Sequence, residues 1–205
     1  MKTLSLLLGI IAFSTALLSQ SKQKISGNRA FSSPVHIQGM VTNTDGQSVG
    51  NVTLIVLPDS IAFLSELSGS FDVTLELQDN VPHELYVEKD GDLLGGISTF
   101  ELLLIFNRIV EHILGNLPFT SPYQIVAADL NGDGVVTIFD LLLLRKHLLF
   151  LDLTDTVKFW HFVKAGCDPI ADPGNCPLDY VETFTTDSTL TGLQITGISI
   201  RDLIN

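Results

Sequence analysis

The feature that most constrains the fold is a segment rich in oxygen-bearing side chains at residues 129–140. Counted from its first residue, positions 1, 3, 5, 9 and 12 carry such side chains: Asp129, Asn131, Asp133, Thr137 and Asp140. Gly134 stands at position 6, where the chain must turn sharply, and Val135 at position 7 offers its backbone carbonyl. A hard cation such as Ca²⁺ takes about six to eight oxygen ligands, and this spacing supplies them from one tight loop. The segment is therefore predicted to be a calcium-binding loop.

The alternative is a surface turn, because Asp, Asn and Gly are also the usual turn residues. The ligand pattern agrees at six positions, and the leucine run at 141–144 begins where the helix after such a loop should begin. Both facts favour the calcium loop. Asp140 stands where a longer glutamate is usual, which shortens the reach of the ligand that normally binds through both oxygens.

Part of this pattern occurs a second time, 39 residues earlier in the chain. Residues 97–105 (Ile-Ser-Thr-Phe-Glu-Leu-Leu-Leu-Ile) match residues 136–144 (Val-Thr-Ile-Phe-Asp-Leu-Leu-Leu-Leu). The same count defines a first loop with ligand candidates Asp90, Asp92, Gly96 (through its carbonyl), Ser98 and Glu101. Leu94 removes the side-chain oxygen at position 5, so two interpretations stay open. The first loop is either a weaker calcium site or a loop that keeps only the shape.

Elsewhere the hydrophobic period predicts strands and helices. Apolar and polar residues alternate in four segments before the first loop, which predicts a small antiparallel β-sandwich over residues 35–88. His36 and His83 lie on or near these strands and are expected at the surface or at a sheet edge. A helical period follows at 100–115 and ends at Gly115, which suits a helix C-cap. Ser121 with Pro122 marks the start of a short helix that leads into the calcium loop. The class is predicted to be α+β, closed by a strand at 159–163 and one or two strands after residue 193.

The ends of the chain carry two further predictions. Residues 1–20 combine a short positive start with an apolar run and read as a secretory signal peptide, with a retained membrane anchor as the alternative. Residues 21–34 read as a linker, and no later segment is apolar enough to span a membrane. Cys167 and Cys176 flank a segment rich in turn residues, and export would let them oxidise. An intramolecular disulfide is predicted, with two free thiols as the alternative.

Charge excludes one class of partner. The net charge is −12, so binding to nucleic acid is not expected. Many of the acidic residues lie in or beside the two loops, and clustered carboxylates suit a divalent cation better than an anionic surface.

Two family resemblances follow from these motifs. Residues 35–54 (Val-His-Ile-Gln-Gly-Met-Val-Thr-Asn-Thr-Asp-Gly-Gln-Ser-Val-Gly-Asn-Val-Thr-Leu) resemble the opening strands of the carboxypeptidase regulatory-like β-sandwich, which implies a spacer or binding support without catalytic zinc. The two calcium-type loops, the first without an entering helix, resemble the type I dockerin domain. The runs at 89–101, 121–129, 160–163 and 197–202 look like the dockerin-like region of large bacterial surface and secreted proteins, although Arg201 stands where a glycine is expected.

These resemblances imply the organisation of the chain. The sandwich would be followed by a dockerin-like calcium-binding module at 89–163 and a C-terminal β extension at 164–205 that holds the cysteine pair. In dockerins the loops hold Ca²⁺ and the helix faces bind cohesin modules. The resemblance therefore implies Ca²⁺ as the bound ion and a cohesin-like protein as the partner.

Three functions are weighed on this basis. The favoured one is a non-enzymatic, secreted or cell-surface interaction module that binds calcium. The second is a carbohydrate-binding or adhesion protein with structural calcium and a polysaccharide partner. A polysaccharide hydrolase is the third. No His-Glu-x-x-His, Gly-x-Ser-x-Gly or Gly-rich phosphate-loop motif occurs and the five histidines are scattered, which disfavours it. A pair of acidic residues that meet in space, as glycosidases require, stays open.

Overall fold

A computed structural model describes residues 32–89, 98–149 and 158–204. The predicted signal peptide, most of the predicted linker, and Asp90, Asp92 and Gly96 lie outside these residues. The strands are β1 (Ser32–Asn43), β2 (Thr53–Leu57), β3 (Ile61–Leu64), β4 (Ser70–Gln78), β5 (His83–Glu88), β6 (Trp160–Lys164), β7 (Val181–Phe184) and β8 (Leu190–Ser199). The helices are α1 (Thr99–Ile113), α2 (Pro122–Ala128) and α3 (Ile138–Leu148), and a 3₁₀ turn (Ile200–Leu203) follows β8.

The strands form two four-stranded sheets. The first sheet has the order β4-β1-β8-β6, in which β1 and β8 run parallel and the other neighbours are antiparallel. The second sheet has the order β3-β2-β5-β7 and is antiparallel throughout. The predicted α+β class is confirmed, with one parallel strand pair that the alternation of residues could not reveal.

A first hydrophobic core fills the space between the two sheets. Its members alternate along their strands with exposed polar residues, which is why these segments form strands with one buried face. Each fully buried Val, Leu or Ile contributes about 1.5–3 kcal/mol relative to an exposed one. The fully buried residues of this core include Ile37, Val41, Leu54, Val56, Leu77, Leu85 and Ile195.

A second core joins the helices to the other face of β6 and β8. Helix α1 contributes Ile105 and Ile109, and β8 contributes Ile198. Ile195 of the same strand belongs to the first core, because residues three apart in a strand point to opposite faces of the sheet. The remaining fully or nearly buried members include Val126, Ala127, Ala128, Leu141, Leu144, Val163, Ile200 and Leu203. Strand β8 therefore belongs to both cores, and residues from Ser32 onward form one compact unit.

The C-terminal segment is part of the sandwich. Strands β7 and β8 lie after residue 164, yet β7 pairs with β5 and β8 pairs with β1. The carboxylate of Asp202 in the 3₁₀ turn is buried, accepts the Ser199 backbone N–H at 2.5 Å and is hydrogen-bonded to the Thr44 hydroxyl. This bond ties the end of the chain to the turn after β1. The boundaries at 35–88, 89–163 and 164–205 themselves stay a prediction.

The helix ends follow the local sequence. Ser98 caps α1 and Ser121 caps α2 through their side-chain oxygens, with Pro122 in the first turn of α2. Gly115, with φ of 75°, follows the end of α1, as predicted for a residue that reverses the chain there. None of the helices in the described residues is long and apolar enough to cross a membrane.

Candidate metal centre

The first residue of the 129–140 loop is positioned by α2. The Val126, Ala127 and Ala128 side chains of this helix are buried, and Asp129 follows directly as its C-terminal cap. The Asp129 backbone N–H donates to the Ile125 carbonyl at 3.0 Å. The direction in which α2 ends therefore determines where the first carboxylate of the loop lies.

The chain before α2 is held on α1. The Phe119 backbone N–H donates to His112 Nδ1 at 3.0 Å, and the two rings stack with centroids 4.0 Å apart. The Arg108 guanidinium lies 4.4 Å from the centroid of the Phe119 ring. Burial, together with the positive charge of Arg108, lowers the pKa of His112. The neutral imidazole can then accept the Phe119 N–H, which fixes the entry into α2.

The loop is wrapped around the Asp129 carboxylate. Oδ1 accepts the Gly132 and Asp133 N–H groups at 2.9 and 3.2 Å, and Oδ2 accepts the Gly134 N–H at 2.7 Å. Gly132 and Gly134 have φ of 70° and 85°, a backbone region that favours glycine. Burial raises the pKa of Asp129 against the effect of these N–H donors, and the negative charge of Asp140 raises it further. The two carboxylates are thus close enough to repel each other, and a cation between them would relieve that repulsion.

The last ligand candidate, Asp140, is completely buried at the start of α3. Its Oδ1 accepts the Leu130 and Asn131 N–H groups at 2.9 and 3.2 Å, and Oδ2 accepts the Thr137 N–H at 2.7 Å. This side chain closes the loop by joining its beginning to its end. Thr137 Oγ1 in turn accepts the Phe139 N–H at 3.2 Å, as a helix-capping residue does.

The middle of the loop is more exposed, and its side chains form hydrogen bonds with neighbouring residues of the loop. Asn131 Nδ2 donates to Asp133 Oδ2 at 2.9 Å, and Asp133 Oδ1 accepts the Val135 N–H at 2.9 Å. Across the described ranges, no three His, Cys, Asp or Glu side chains are gathered into a metal-binding group. The structure thus brings Asp129, Thr137 and Asp140 around the base of the loop, while Asp133 faces Asn131.

The donor set nevertheless fits calcium. Each carboxylate oxygen has about two acceptor sites, so Asp129 Oδ2, which accepts one N–H group of the loop, keeps capacity for a cation. The set consists of oxygen atoms from carboxylates, an amide, a hydroxyl and the Val135 carbonyl, with no sulfur or imidazole. Calcium prefers such ligands, whereas zinc favours thiolate and imidazole. The ligand roles of these residues remain predictions.

The described part of the first loop is a helix cap. Ser98 N–H and Ser98 Oγ both donate to Glu101 Oε2 at 2.7 Å, and the Glu101 N–H donates to Ser98 Oγ at 3.2 Å. The side-chain bond from Ser98, followed by the backbone bond, lowers the pKa of Glu101. Glu101 is therefore engaged with the start of α1, and calcium binding at the first loop stays a prediction.

The predicted disulfide is confirmed in the structure. Cys167 is bonded to Cys176, with their Cα atoms 5.7 Å apart. The sequence did not indicate that Tyr123 would contact this bridge, because residues 44 apart in an aperiodic region give no sign of proximity. The Tyr123 hydroxyl donates to the Cys167 carbonyl at 2.7 Å.

One expectation about the histidines is wrong. His36 is at the surface as expected and lies 2.8 Å from the Asp72 carboxylate. His83, in contrast, is completely buried at the start of β5, where its Nε2 lies 2.9 Å from the Gln78 carbonyl and its Nδ1 3.1 Å from the Asp59 carboxylate. The Gln78 carbonyl is hydrogen-bonded to one ring nitrogen, and the Asp59 carboxylate lies beside the other without hydrogen-bond geometry.

Comparison with known proteins gives one family. The sequence model of the family described as "Dockerin type I domain" matches residues 102–150. The match contains the whole 129–140 loop, all of α2 and α3 and most of α1, and it begins just after Glu101. Neither a curated protein nor a solved structure matches the chain. The resemblance of residues 35–88 to a carboxypeptidase regulatory-like sandwich has no family match, although sheets are present there.

Proposed function

We propose that this chain is a non-catalytic, calcium-dependent docking protein that works outside the cell. Calcium bound at residues 129–140 would hold the start of α3, and the exposed apolar side chains of α1 and α3 would bind a cohesin-like module of another protein. Dockerin type I domains bind Ca²⁺ in EF-hand-like loops and bind cohesin partners, and the family match covers this loop.

The observation that carries the proposal is a pair of loop carboxylates that are held by backbone N–H groups and lie close enough to repel each other. Asp129 and Asp140 come from the end of α2 and the start of α3, and each is wrapped by loop N–H groups. Neutralising two such carboxylates with one divalent ion would favour the folded loop. A calcium concentration of a hundredfold over Kd would stabilise the fold by about 2.7 kcal/mol.

An exposed apolar surface supplies the docking face. Phe100 and Phe139 occupy equivalent positions of the internal repeat and are 68% and 62% exposed. Leu103 and Leu142 are also equivalent and exposed, and Ile138 is exposed in the first turn of α3. Helices α1 and α3 contact each other, and apolar side chains left at a surface in this number are typical of protein interaction sites.

The cysteine pair supports an extracellular location. Disulfides persist in oxidising compartments, which agrees with the apolar N-terminal run that resembles a signal peptide.

The test is binding to a panel of cohesin modules with calcium and with chelator. We expect binding only with calcium, and we expect the double variant Phe100→Gln, Phe139→Gln, which adds no charge beside the loop, to lose it while its calcium titration is unchanged. The matched control is Leu64→Gln, which places the same polar side chain at an exposed leucine of β3. Binding that survives both the chelator and the double variant would contradict the proposal.

A further inference from the structure

We propose that the Cys167–Cys176 disulfide sets the calcium affinity of the 129–140 loop, because it holds α2 in place through Tyr123. The inference rests on the calcium site of the proposed function and adds a redox control to it. It is argued from one hydrogen bond, from a hydrophobic core that the bridge shares with α2 and from the shortness of α2.

The hydrogen bond joins the bridge to the first turn of α2. Tyr123 is the second residue of the helix, and its hydroxyl donates to the Cys167 carbonyl at 2.7 Å. Burial raises the pKa of Tyr123, and the charge of Asp168 raises it further. The phenol therefore keeps its proton and remains a donor. This bond connects two parts of the chain that the sequence separates by 44 residues.

The other half of the bridge shares a hydrophobic core with α2. Cys176 is 1% exposed and belongs to the same core as Val126, Ala127 and Ala128 of α2. Cys167 packs at the border of that core and is only partly buried. The bridge is thus hydrogen-bonded to the start of α2 through the Cys167 carbonyl and contributes the Cys176 side chain to the core in which α2 is buried.

Helix α2 depends on such contacts because it has only seven residues. Isolated helices shorter than about 12 residues are marginal in water, so its position is set by tertiary contacts. The helix ends at Asp129, the first ligand candidate, while Asp140 belongs to α3. Calcium–oxygen distances lie within about 2.3–2.6 Å, so each ligand must stay close to the ion. A small displacement of α2 would therefore separate Asp129 from the other ligands and weaken calcium binding.

The segment between the cysteines cannot replace the bridge. Asp168 Oδ1 accepts the Ile170 and Ala171 N–H groups at 2.9 Å, and the Cys176 N–H donates to the Asp172 carbonyl at 2.9 Å. These bonds lie within the segment and preserve its turns. They do not fix the distance between Cys167 and Cys176 as the covalent bond does, so the Cys167 carbonyl would lose its fixed place beside Tyr123.

The redox step is an ordinary exchange with a thiol reductant. A thiolate attacks one sulfur of the bridge, the S–S bond breaks, and a second thiol releases a disulfide of the reductant. The two electrons and two protons from the reductant leave Cys167 and Cys176 as thiols. The partial exposure of Cys167 gives the reductant access.

Thermodynamic linkage makes the effect reciprocal. If oxidation strengthens calcium binding by some factor, calcium makes the bridge harder to reduce by the same factor. For a two-electron couple, a tenfold factor corresponds to about 30 mV in the reduction potential. The proposal can therefore be tested from the calcium side and from the disulfide side.

The experiment is calcium titration of the full chain by calorimetry, oxidised and after reduction with dithiothreitol. We expect reduction to raise Kd about tenfold, and Tyr123→Phe, with the bridge intact, to raise it about fivefold, the loss of one hydrogen bond. Tyr180→Phe is the matched control. Tyr180 belongs to the first core, and the variant removes its hydroxyl, which donates to Glu182. The Kd of this variant should stay within about twofold of that of the unchanged chain. The variant Cys167→Ser, Cys176→Ser should bind like the reduced chain and should not respond to dithiothreitol.

Equilibration in glutathione buffers with and without calcium gives the second readout. With calcium, the reduction potential of the bridge should be about 30 mV more negative than without it. Equal Kd for the oxidised chain, the reduced chain and Tyr123→Phe would overturn the redox proposal and leave the calcium site standing. No heat of binding from the oxidised chain would overturn the calcium site and the proposal together. If circular dichroism shows that the reduced chain is unfolded, the Kd values of Tyr123→Phe and Tyr180→Phe, both with the bridge intact, decide. Equal values would overturn the redox proposal.

Discussion

At the scale of residues, the ligand candidates of the loop differ in how much they support the fold without calcium. Asp140 is buried and accepts three backbone N–H groups that span the loop, so it supports the fold by itself. Asp133 is exposed and accepts only from its neighbours Asn131 and Val135. Substitution at the two positions should therefore separate the structural contribution of a carboxylate from its contribution through calcium.

The prediction concerns Asp140→Asn and Asp133→Asn. In chelator, Asp140→Asn should lower the free energy of unfolding by about 1–3 kcal/mol, because an amide cannot accept all three N–H groups with a charged acceptor's strength. Asp133→Asn should stay within about 0.5 kcal/mol of the unchanged chain in chelator and should lose only the stabilisation by calcium. Urea unfolding with and without calcium measures both. Equal losses for the two variants in chelator would show that Asp140 has no structural role.

The sequence predicted these residues better than it predicted their surroundings. Spacing alone identified the ligand candidates, because a tight loop presents alternate residues to one centre. Burial of Asp140 and His83 was not predictable, since it depends on strands and helices from distant parts of the chain. Tyr123 was missed for the same reason.

At the scale of elements, β1 and β8 lie in close contact at Gly39. Gly39 of β1 faces Leu193 of β8 beside a break in the register of the pair. A Cβ atom at Gly39 would lie 2.6 Å from the Leu193 carbonyl oxygen and 2.5 Å from the Phe71 ring. The carbonyl belongs to a paired strand and cannot move aside without loss of the pairing. Glycine is therefore required at this crossing.

The prediction is that Gly39→Ala lowers the free energy of unfolding by about 1–3 kcal/mol, as overpacking of a core does. Gly174→Ala is the control, because a Cβ at Gly174 meets no atom within 4 Å and its backbone needs no positive φ. Thermal unfolding of both variants compares them. A Gly39→Ala variant as stable as the control would contradict the prediction, because it would show that β1 and β8 can move apart at Gly39 without loss of stability.

The elements themselves were largely readable from the sequence, and their pairing was not. Alternation predicted β1, β2, β4 and β5. Capping residues predicted the start of α2 and the end of α1. The parallel pairing of β1 with β8 leaves no trace in either strand's pattern. The short strands β3 and β7 were missed because four residues are too few to show a period.

At the scale of the whole molecule, the two cores share β8. Ile195 faces the sandwich core and Ile198 the helical core, so the loss of either core removes the support of the other. Trp160 packs beside the sandwich core, stacked on Phe162 with ring centroids 6.0 Å apart. It can therefore report on the sheets, while far-ultraviolet circular dichroism reports on the helices.

The prediction is one cooperative transition. Trp160 fluorescence and the helical signal should give coincident unfolding curves, and chelation of calcium should shift both by the same amount although the loop lies on the helical side. A chelator that shifts the helical curve alone would show that the cores unfold independently.

The position of β8 also has a consequence for how the protein is made. A ribosome delivers β1 first and β8 last, yet β8 lies in the interior of the first sheet between β1 and β6. Until residues 190–204 have emerged, one edge of β1 has no partner and both hydrophobic cores lack a wall. Folding by segments during synthesis, which is common in larger chains, is closed to this one. The two cores therefore cannot be completed before residues 190–204 have left the ribosome.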